Sequence, residues 1–332
     1  MNPLLPALGQ ITYPGFSLDI VSMNLVHEAV LEPDGTAKVL LRPLNAEPGK
    51  QEAIISNIKT ALKALPQVKL VEVSIYSQQP KAGPAPARIS GVDRVIAVAS
   101  CKGGVGKSTL SINLANALAA HARVGILDLD IYGPSLPIML NMENIAIEAD
   151  SHGRLMPVKT AQGLQALSVG FMSEPGQPLS WRGPLLVKMV DQLLLKTAWQ
   201  DLNVLIIDLP PGTGDVQMSL LRHIILDGII IVSTPEPAAI SDTRRGISLF
   251  RQNSAPILGL VENMSYYVCP CCGNTQYLFG KNGVEALAKE IGLPFLGNIP
   301  LNPANQELTM HYEANLAAPY EQLAGKLLKK SI

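Results

Sequence analysis

The 332-residue sequence predicts a doubly wound α/β domain built on a mostly parallel sheet and preceded by a small α+β domain. Beyond residue 94, short apolar runs alternate with helical patterns, the order expected of a parallel sheet with helices on both faces. Hydrophobic residues make up 47% of the chain and aromatics only 5%, so the apolar content is mostly Leu, Ile, Val and Ala, as suits strands buried on both faces. Between the two parts, "YSQQPKAGPAPARISGVDR" is rich in Pro, Gly, Ala and Ser and has no apolar period. The expected organisation is therefore a small domain over residues 1–76, a linker over 77–93 and the large domain over 94–332.

In the front domain, "LVHEAVLEPDGTAKVLLRPL" contains two strand-like runs around Pro33-Asp34-Gly35. A helical stretch, "QEAIISNIKTALKAL", and a further strand, "VKLVEVSIY", follow. The large domain offers six strands in order: "RVIAVAS", "RVGILDLD", "NVLIIDLP", "GIIIVSTP", "PILGLVENM" and "PFLGNIP". In such a sheet the ligand sits at the carboxyl ends of the strands.

Charge and composition narrow the function classes. A formal net charge of −1 argues against a protein whose whole body grips nucleic acid. No apolar run reaches the ~18 residues of a membrane span, and the start "MNPLLPALGQ" lacks the basic residues of a secretion signal. Four cysteines, three of them within four positions, do not form a disulfide framework for a chain of this length. A reducing, cytoplasmic setting is expected, without nucleic-acid or membrane partners.

Phosphate chemistry gathers at three strand ends. In "RVIAVASCKGGVGKSTLSINLANALAAH" a strand, a glycine-rich turn and a helix follow one another. Gly103, Gly104 and Gly106 let the backbone approach phosphates, whose charge the helix N-terminus favours. Lys107 would reach the β- and γ-phosphates, facing ligand rather than core, and the Ser108 hydroxyl would join Mg²⁺. Gly103, Gly104, Val105, Gly106, Lys107, Ser108 and Thr109 are the nucleotide-binding candidates. In "GILDLDIYGPSLP", Asp128 and Asp130 stand two apart; strand alternation would turn both to one side, and either could order a water or the metal shell. In "NVLIIDLPPGTGDVQMSL", Asp208 closes an apolar strand as a magnesium-binding acid, and Gly212 and Gly214 suit a mobile turn that senses the γ-phosphate.

The loop K-G-G-x-G-K-[ST] resembles the deviant Walker A motif of the MinD, ParA and nitrogenase-iron-protein superfamily. "CKGGVGKST", "GILDLDIYGPSLP", "WRGP", "IIDLPPGTGD", "TPEPAAISDTRRG" and "ENMSYYVCPCCG" occur in the order found in the Mrp/ApbC family of iron–sulfur cluster carrier ATPases. That resemblance implies a homodimeric ATPase in which Lys102 reaches the partner's nucleotide, Lys102 and Lys107 touch phosphates, and Ser108 and Asp208 serve the metal. It further implies that Asp130 serves the attacking water and Asn263 reads the adenine. ATP and Mg²⁺ are the implied cofactors with a [4Fe–4S] cluster, and apo iron–sulfur proteins are its acceptors. The front domain resembles an iron–sulfur assembly domain, but no cysteine precedes Cys101. "TPEP" departs from the family's commoner run, so Glu236 inherits no role.

The crowded thiols are the remaining signal. Cys269-Pro270-Cys271-Cys272 contains one C-x-x-C, Cys269 and Cys272, with Cys271 extra. One pair gives two thiolates, whereas a tetrathiolate zinc site or a [4Fe–4S] cluster takes four, and a twofold dimer would supply them without new sequence. Cys271, next to Cys272, is expected to diverge from the chelating pair. An inert cysteine cluster, a redox pair and zinc remain the alternatives from the residues alone. The alternative at the level of function is a ParA/MinD-like positioning ATPase whose terminal "YEQLAGKLLKKSI", with Leu323 and Leu327 on one face and Lys326, Lys329 and Lys330 adding charge, would lie on a surface.

Overall fold

A hairpin opens the ordered core of the front part because two alternating apolar runs meet at a turn only glycine accommodates easily. The computed structural model describes residues 2–12, 19–23, 25–42, 48–75, 86–131, 133–143, 145–172, 183–301 and 314–329. A short helix α1 (Leu5–Leu8) precedes strands β1 (Val26–Leu31) and β2 (Thr36–Leu41), which pair antiparallel. In their turn Gly35 has φ +90°, and the Asp34 carboxylate accepts the Thr36 N–H at 2.8 Å. Helix α2 (Pro48–Lys63) leads to β3 (Leu70–Ile75), parallel to β2. Ile54, Ile58 and Leu62, four apart on α2, share one buried cluster with Ala37, Val39 and Leu41 of β2 and with Leu4 and Leu8. This unit spans Met1–Ala82 and the second unit Gly83–Ile332.

Within the second unit β4 (Val92–Ser100) is buried without a break from Val95 to Ser100, as a central parallel strand should be. Then come α3 (Lys107–Ala119), β5 (Val124–Asp128), α4 (Leu136–Met139), β6 (Val158–Lys159), β7 (Gln165–Ser168), α5 (Gly183–Leu195), β8 (Leu202–Asp208), α6 (Asp215–His223), β9 (Gly228–Ser233) and α7 (Pro237–Gln252). The chain continues through β10 (Ile257–Glu262), β11 (Tyr267–Val268), β12 (Thr275–Gln276), α8 (Gly283–Ile291), β13 (Phe295–Asn298) and α9 (Ala314–Lys329). Eight strands form one sheet in the order β13-β10-β9-β4-β8-β5-β7-β6, parallel except for the β6–β7 pair. From β4 the chain first builds towards β5 and β7 and later, from β9, towards the opposite edge. The glycine-rich loop after β4 thus lies at the reversal point, where ligands of open α/β sheets bind.

Helices cover both faces. On one, Leu110, Leu114 and Leu118 of α3 cluster with Tyr320, Leu323 and Leu327 of α9; on the other, Val190, Leu220, Phe250 and Leu287 cover the sheet. Residues 86–91 are part of this unit, since Ala87 bridges to Ile224 and Ile89 is buried. Expectations on residues 77–85, Trp181, Arg182 and Lys330 lie outside the described residues.

Helix α9 bears on the surface-binding alternative. Leu323 and Leu327 are each only 2% exposed, so the face that would enter a bilayer interface is spent on α3 and the sheet. Among the described residues no helix is long and apolar enough to cross a membrane. Leu323→Ala should therefore lower unfolding stability by about 2–5 kcal/mol, the usual cost of emptying a buried leucine site. Denaturant unfolding measures that loss, and liposome flotation of the variant should match wild type; a flotation signal that disappears with Leu323 would contradict the docked assignment.

Candidate functional site

The glycine-rich loop turns on two left-handed glycines, Gly104 at φ +78° and Gly106 at φ +79°. Gly106 caps α3, and a Cβ there would collide with the Asn263 side-chain nitrogen. Asn263 donates from that nitrogen to the Val105 carbonyl at 2.8 Å. The loop and the end of β10 are thus in direct contact. Gly103 and Gly104 are exposed, Ser108 and Thr109 half-buried.

Lys107 is 6% exposed and its Nζ lies 2.8 Å from Asp208 Oδ2 and 3.8 Å from Asp130 Oδ2. Ser108 donates to Asp208 Oδ2 at 2.5 Å, and Ser111, one helical turn on from Lys107, donates to Oδ1 at 2.7 Å. Lys107 is thus the buried counter-ion of two carboxylates, so its removal bears on the fold as well as on any ligand, and the expectation of an unaffected fold is corrected. Those hydroxyl and carboxylate oxygens are the hard donors Mg²⁺ prefers.

The two acids after β5 separate in role. The strand ends at Asp128, so Asp130 is not placed by strand alternation. Asp128 is fully buried and accepts the Asp130 and Leu136 N–H groups and the Ser168 hydroxyl, holding the loop that carries Asp130. Burial, with the Asp208 charge second, pushes its carboxyl up to about 7. From this loop the Asp130 carboxylate approaches Lys107 to 3.8 Å. The turn after Asp208 is also tied: Gly212 donates its N–H to the Ser100 carbonyl at 2.8 Å, and Gln217 donates to the carbonyls of Pro210 and Gly212.

Lys102 points to its own chain, with Nζ 2.8 Å from Glu236 Oε2. Both side chains are about two-fifths exposed, so the pair contributes at most ~1 kcal/mol and a phosphate can replace Glu236 at small cost. This is the contact sequence reasoning left without a role. Cys101, at the first-glycine position of the motif, packs where a Gly246 side chain would stand; burial pushes its thiol up to about 11.

The other thiols lie in a hairpin of β11 and β12. From Val268 to Asn282 no residue is buried. The Cys272 N–H and then the Cys271 N–H donate to the Cys269 sulfur and hold its pKa below the ordinary thiol value; a contact from the Cys272 thiol contributes next. A weaker contact from the Cys271 thiol lowers it as well. Among the described residues no three His, Cys, Asp or Glu side chains assemble as a metal-binding group. Val268, Tyr277, Leu278 and Phe279, 41% to 56% exposed, flank the thiols.

The family model described as the NUBPL iron-transfer P-loop NTPase matches residues 91–330, and that of an iron-sulfur cluster assembly protein matches residues 4–75. The chain belongs to the NUBPL iron-transfer P-loop NTPase family. It is 39% identical over 319 residues to the iron-sulfur cluster carrier protein of Deinococcus radiodurans, covering 96% of this chain and 88% of that one. It is 38% identical over 306 residues to the Synechocystis protein of the same name, covering 90% and 86%. Among solved structures, an ADP-bound nucleotide-binding protein of Archaeoglobus fulgidus is similar at 33% identity and TM-score 0.57, over 71% of this chain and 90% of that one. Pyrococcus furiosus MinD, at 22% identity and TM-score 0.55 over 72% and 100%, shares the fold.

Removing Lys107 as Lys107→Ala strips the cation from Asp208 and Asp130 and should cost about 3–5 kcal/mol at neutral pH. Denaturant unfolding at pH 7.5 measures this; a loss below about 1 kcal/mol would contradict the buried counter-ion role.

Proposed function

We propose that this chain is an ATP-dependent iron–sulfur cluster carrier that holds a [4Fe–4S] cluster between two copies and passes it to apoproteins. The observation that carries the reading is the Cys269-x-x-Cys272 hairpin in the same domain as the glycine-rich lysine loop: two thiols on a coreless loop, with the Cys269 pKa held below the ordinary thiol value. Two chains supply the four thiolates a cubane takes, and a site at the surface between subunits can release its cargo. The exposed Val268, Tyr277, Leu278 and Phe279 suit burial against a second copy. The iron-transfer family and the carrier names of its relatives support the cargo as iron and sulfide rather than zinc.

In this reading the loop N–H groups and Lys107 bind the phosphates, and Asn263 meets the adenine. Mg²⁺, held by Ser108 and Asp208, would neutralise charge on the β- and γ-phosphates. Asp130, positioned by Asp128, orients the water that attacks the γ-phosphorus. Lys102 exchanges Glu236 for the partner's nucleotide, which links dimerisation to ATP. The cytoplasm is the setting that keeps such thiols reduced. The positioning-ATPase alternative loses its main support with the burial of Leu323 and Leu327.

After identical anaerobic reconstitution, Cys269→Ala and Cys272→Ala should each lose about one cluster per dimer, measured as iron and sulfide, while ATP binding persists. Cys271→Ala should keep the cluster. Iron lost as fully from Cys271→Ala would show the chelating pair to be wrong, and iron kept by all three would remove the thiols as the site.

A further inference from the structure

The thiol hairpin has almost nothing of its own to hold it in place. Between Val268 and Asn282 every residue is exposed apart from the half-buried Cys269, and the two strands contribute two residues each. Its position is set at its ends, and both ends meet at one fully buried carboxylate. Glu262, the last residue of β10, accepts the Ser265 hydroxyl on Oε1 at 2.6 Å and the Val284 N–H on Oε2 at 2.8 Å. Ser265 precedes the excursion and Val284 begins the buried part of α8 beyond it. A buried carboxylate is costly unless its oxygens are satisfied, so this bridge is a specific one.

The outgoing end also touches the nucleotide-binding loop, and the return end touches the β9–α7 connection that carries Glu236. Asn263, adjacent to Glu262, donates to the Val105 carbonyl and abuts Gly106. On the return leg, Gly280 and Gly283 lie against the Pro235 carbonyl, so close that a Cβ on Gly283 would stand 2.9 Å from it. Pro235 is followed by Glu236, the partner of Lys102. The nucleotide loop therefore meets the outgoing leg directly through Val105 and is linked to the return leg indirectly, from Lys102 to Glu236 and its neighbour Pro235, and Glu262 fastens the two legs together.

The geometry points to Glu262 as a positioning residue that couples the cysteine-bearing hairpin to the nucleotide-binding loop. The inference rests on the carrier reading for its purpose but not for its test, which needs no iron. A phosphate that draws Lys102 from Glu236, or a purine that meets Asn263, shifts one leg; with the Glu262 bridge intact the hairpin follows as a unit, and without it the legs move independently. Coupling of this kind is an energy difference between two states of a connected element and is measurable as such.

The test is hydrogen–deuterium exchange of residues 266–283 in the full-length protein, with and without Mg²⁺ and ATPγS. Wild type should show slower exchange over this segment on adding the nucleotide. Ser265→Ala, which removes one arm and leaves the carboxylate in place, and Glu262→Ala, which removes both, should raise exchange in the segment about fivefold and abolish its nucleotide response. Nucleotide affinity should stay within about twofold. Glu262→Gln should behave as wild type, since its amide oxygen can still accept the Val284 N–H and its NH₂ can donate to the Ser265 oxygen. If Glu262→Ala does not fold, Ser265→Ala and Glu262→Gln carry the comparison. A wild-type hairpin indifferent to nucleotide, or a Ser265→Ala variant with the wild-type response, would overturn the proposal. Failure of the carrier reading would appear separately, as absence of iron from the reconstituted cysteine pair.

Discussion

Lys107 and Asp208 meet 2.8 Å apart at the carboxyl end of a sheet whose central strands are otherwise almost wholly apolar. Neither group could be buried alone, because an isolated ion in such surroundings costs several kcal/mol. The surrounding structure answers that cost. Ser108 and Ser111 bring hydroxyls to Asp208, Asp130 adds a second carboxylate to Lys107, and Asp128 spends its oxygens on the backbone that positions Asp130. The order β9-β4-β8-β5 sets the ends of these strands side by side, with Asp128 in register with Asp208. An assembly of charges kept dry by neighbouring strands is also one that phosphate and Mg²⁺ can enter by exchanging partners.

The thiol site obeys the opposite rule. Its residues have little buried surface, so the hairpin belongs to the low-stability end of the molecule. For the proposed uptake and release of a cluster this would be an advantage, because exposed thiols would reach a second copy or an acceptor without unfolding anything. The cost is imprecision, which the fully buried Glu262 offsets by joining the two legs where the core ends. A tightly built lysine–carboxylate site and the loosely built hairpin proposed to hold the cargo thus coexist in one domain, with Val105, Asn263 and Glu262 between them.

The long apolar runs made β4, β5, β8, β9, β10 and β13 legible in the sequence, and the spacing of Ile54, Ile58 and Leu62 did the same for α2. The strands β6 and β7 were not legible. They have two and four residues, and "LQALSVG" carries no alternation to separate a strand from a loop. Missing β7 also hid Ser168, the hydroxyl that satisfies Asp128. The loop residues could be named because glycine, lysine and hydroxyl spacing follows from phosphate geometry, whereas Ser111, Glu236 and Glu262 act through contacts across at least 22 positions of sequence. A Glu at the end of an apolar strand, followed three residues later by Ser, is the one local signal that could have drawn attention to Glu262.

The central claim is that one chain carries half a cluster site and that two chains complete it. Native mass spectrometry of the wild-type protein after anaerobic reconstitution tests this most directly, because it weighs protein and cargo together. The account predicts a species of two chains with four iron and four sulfide, and no cluster on single chains. A monomer carrying an intact [4Fe–4S] cluster would contradict it.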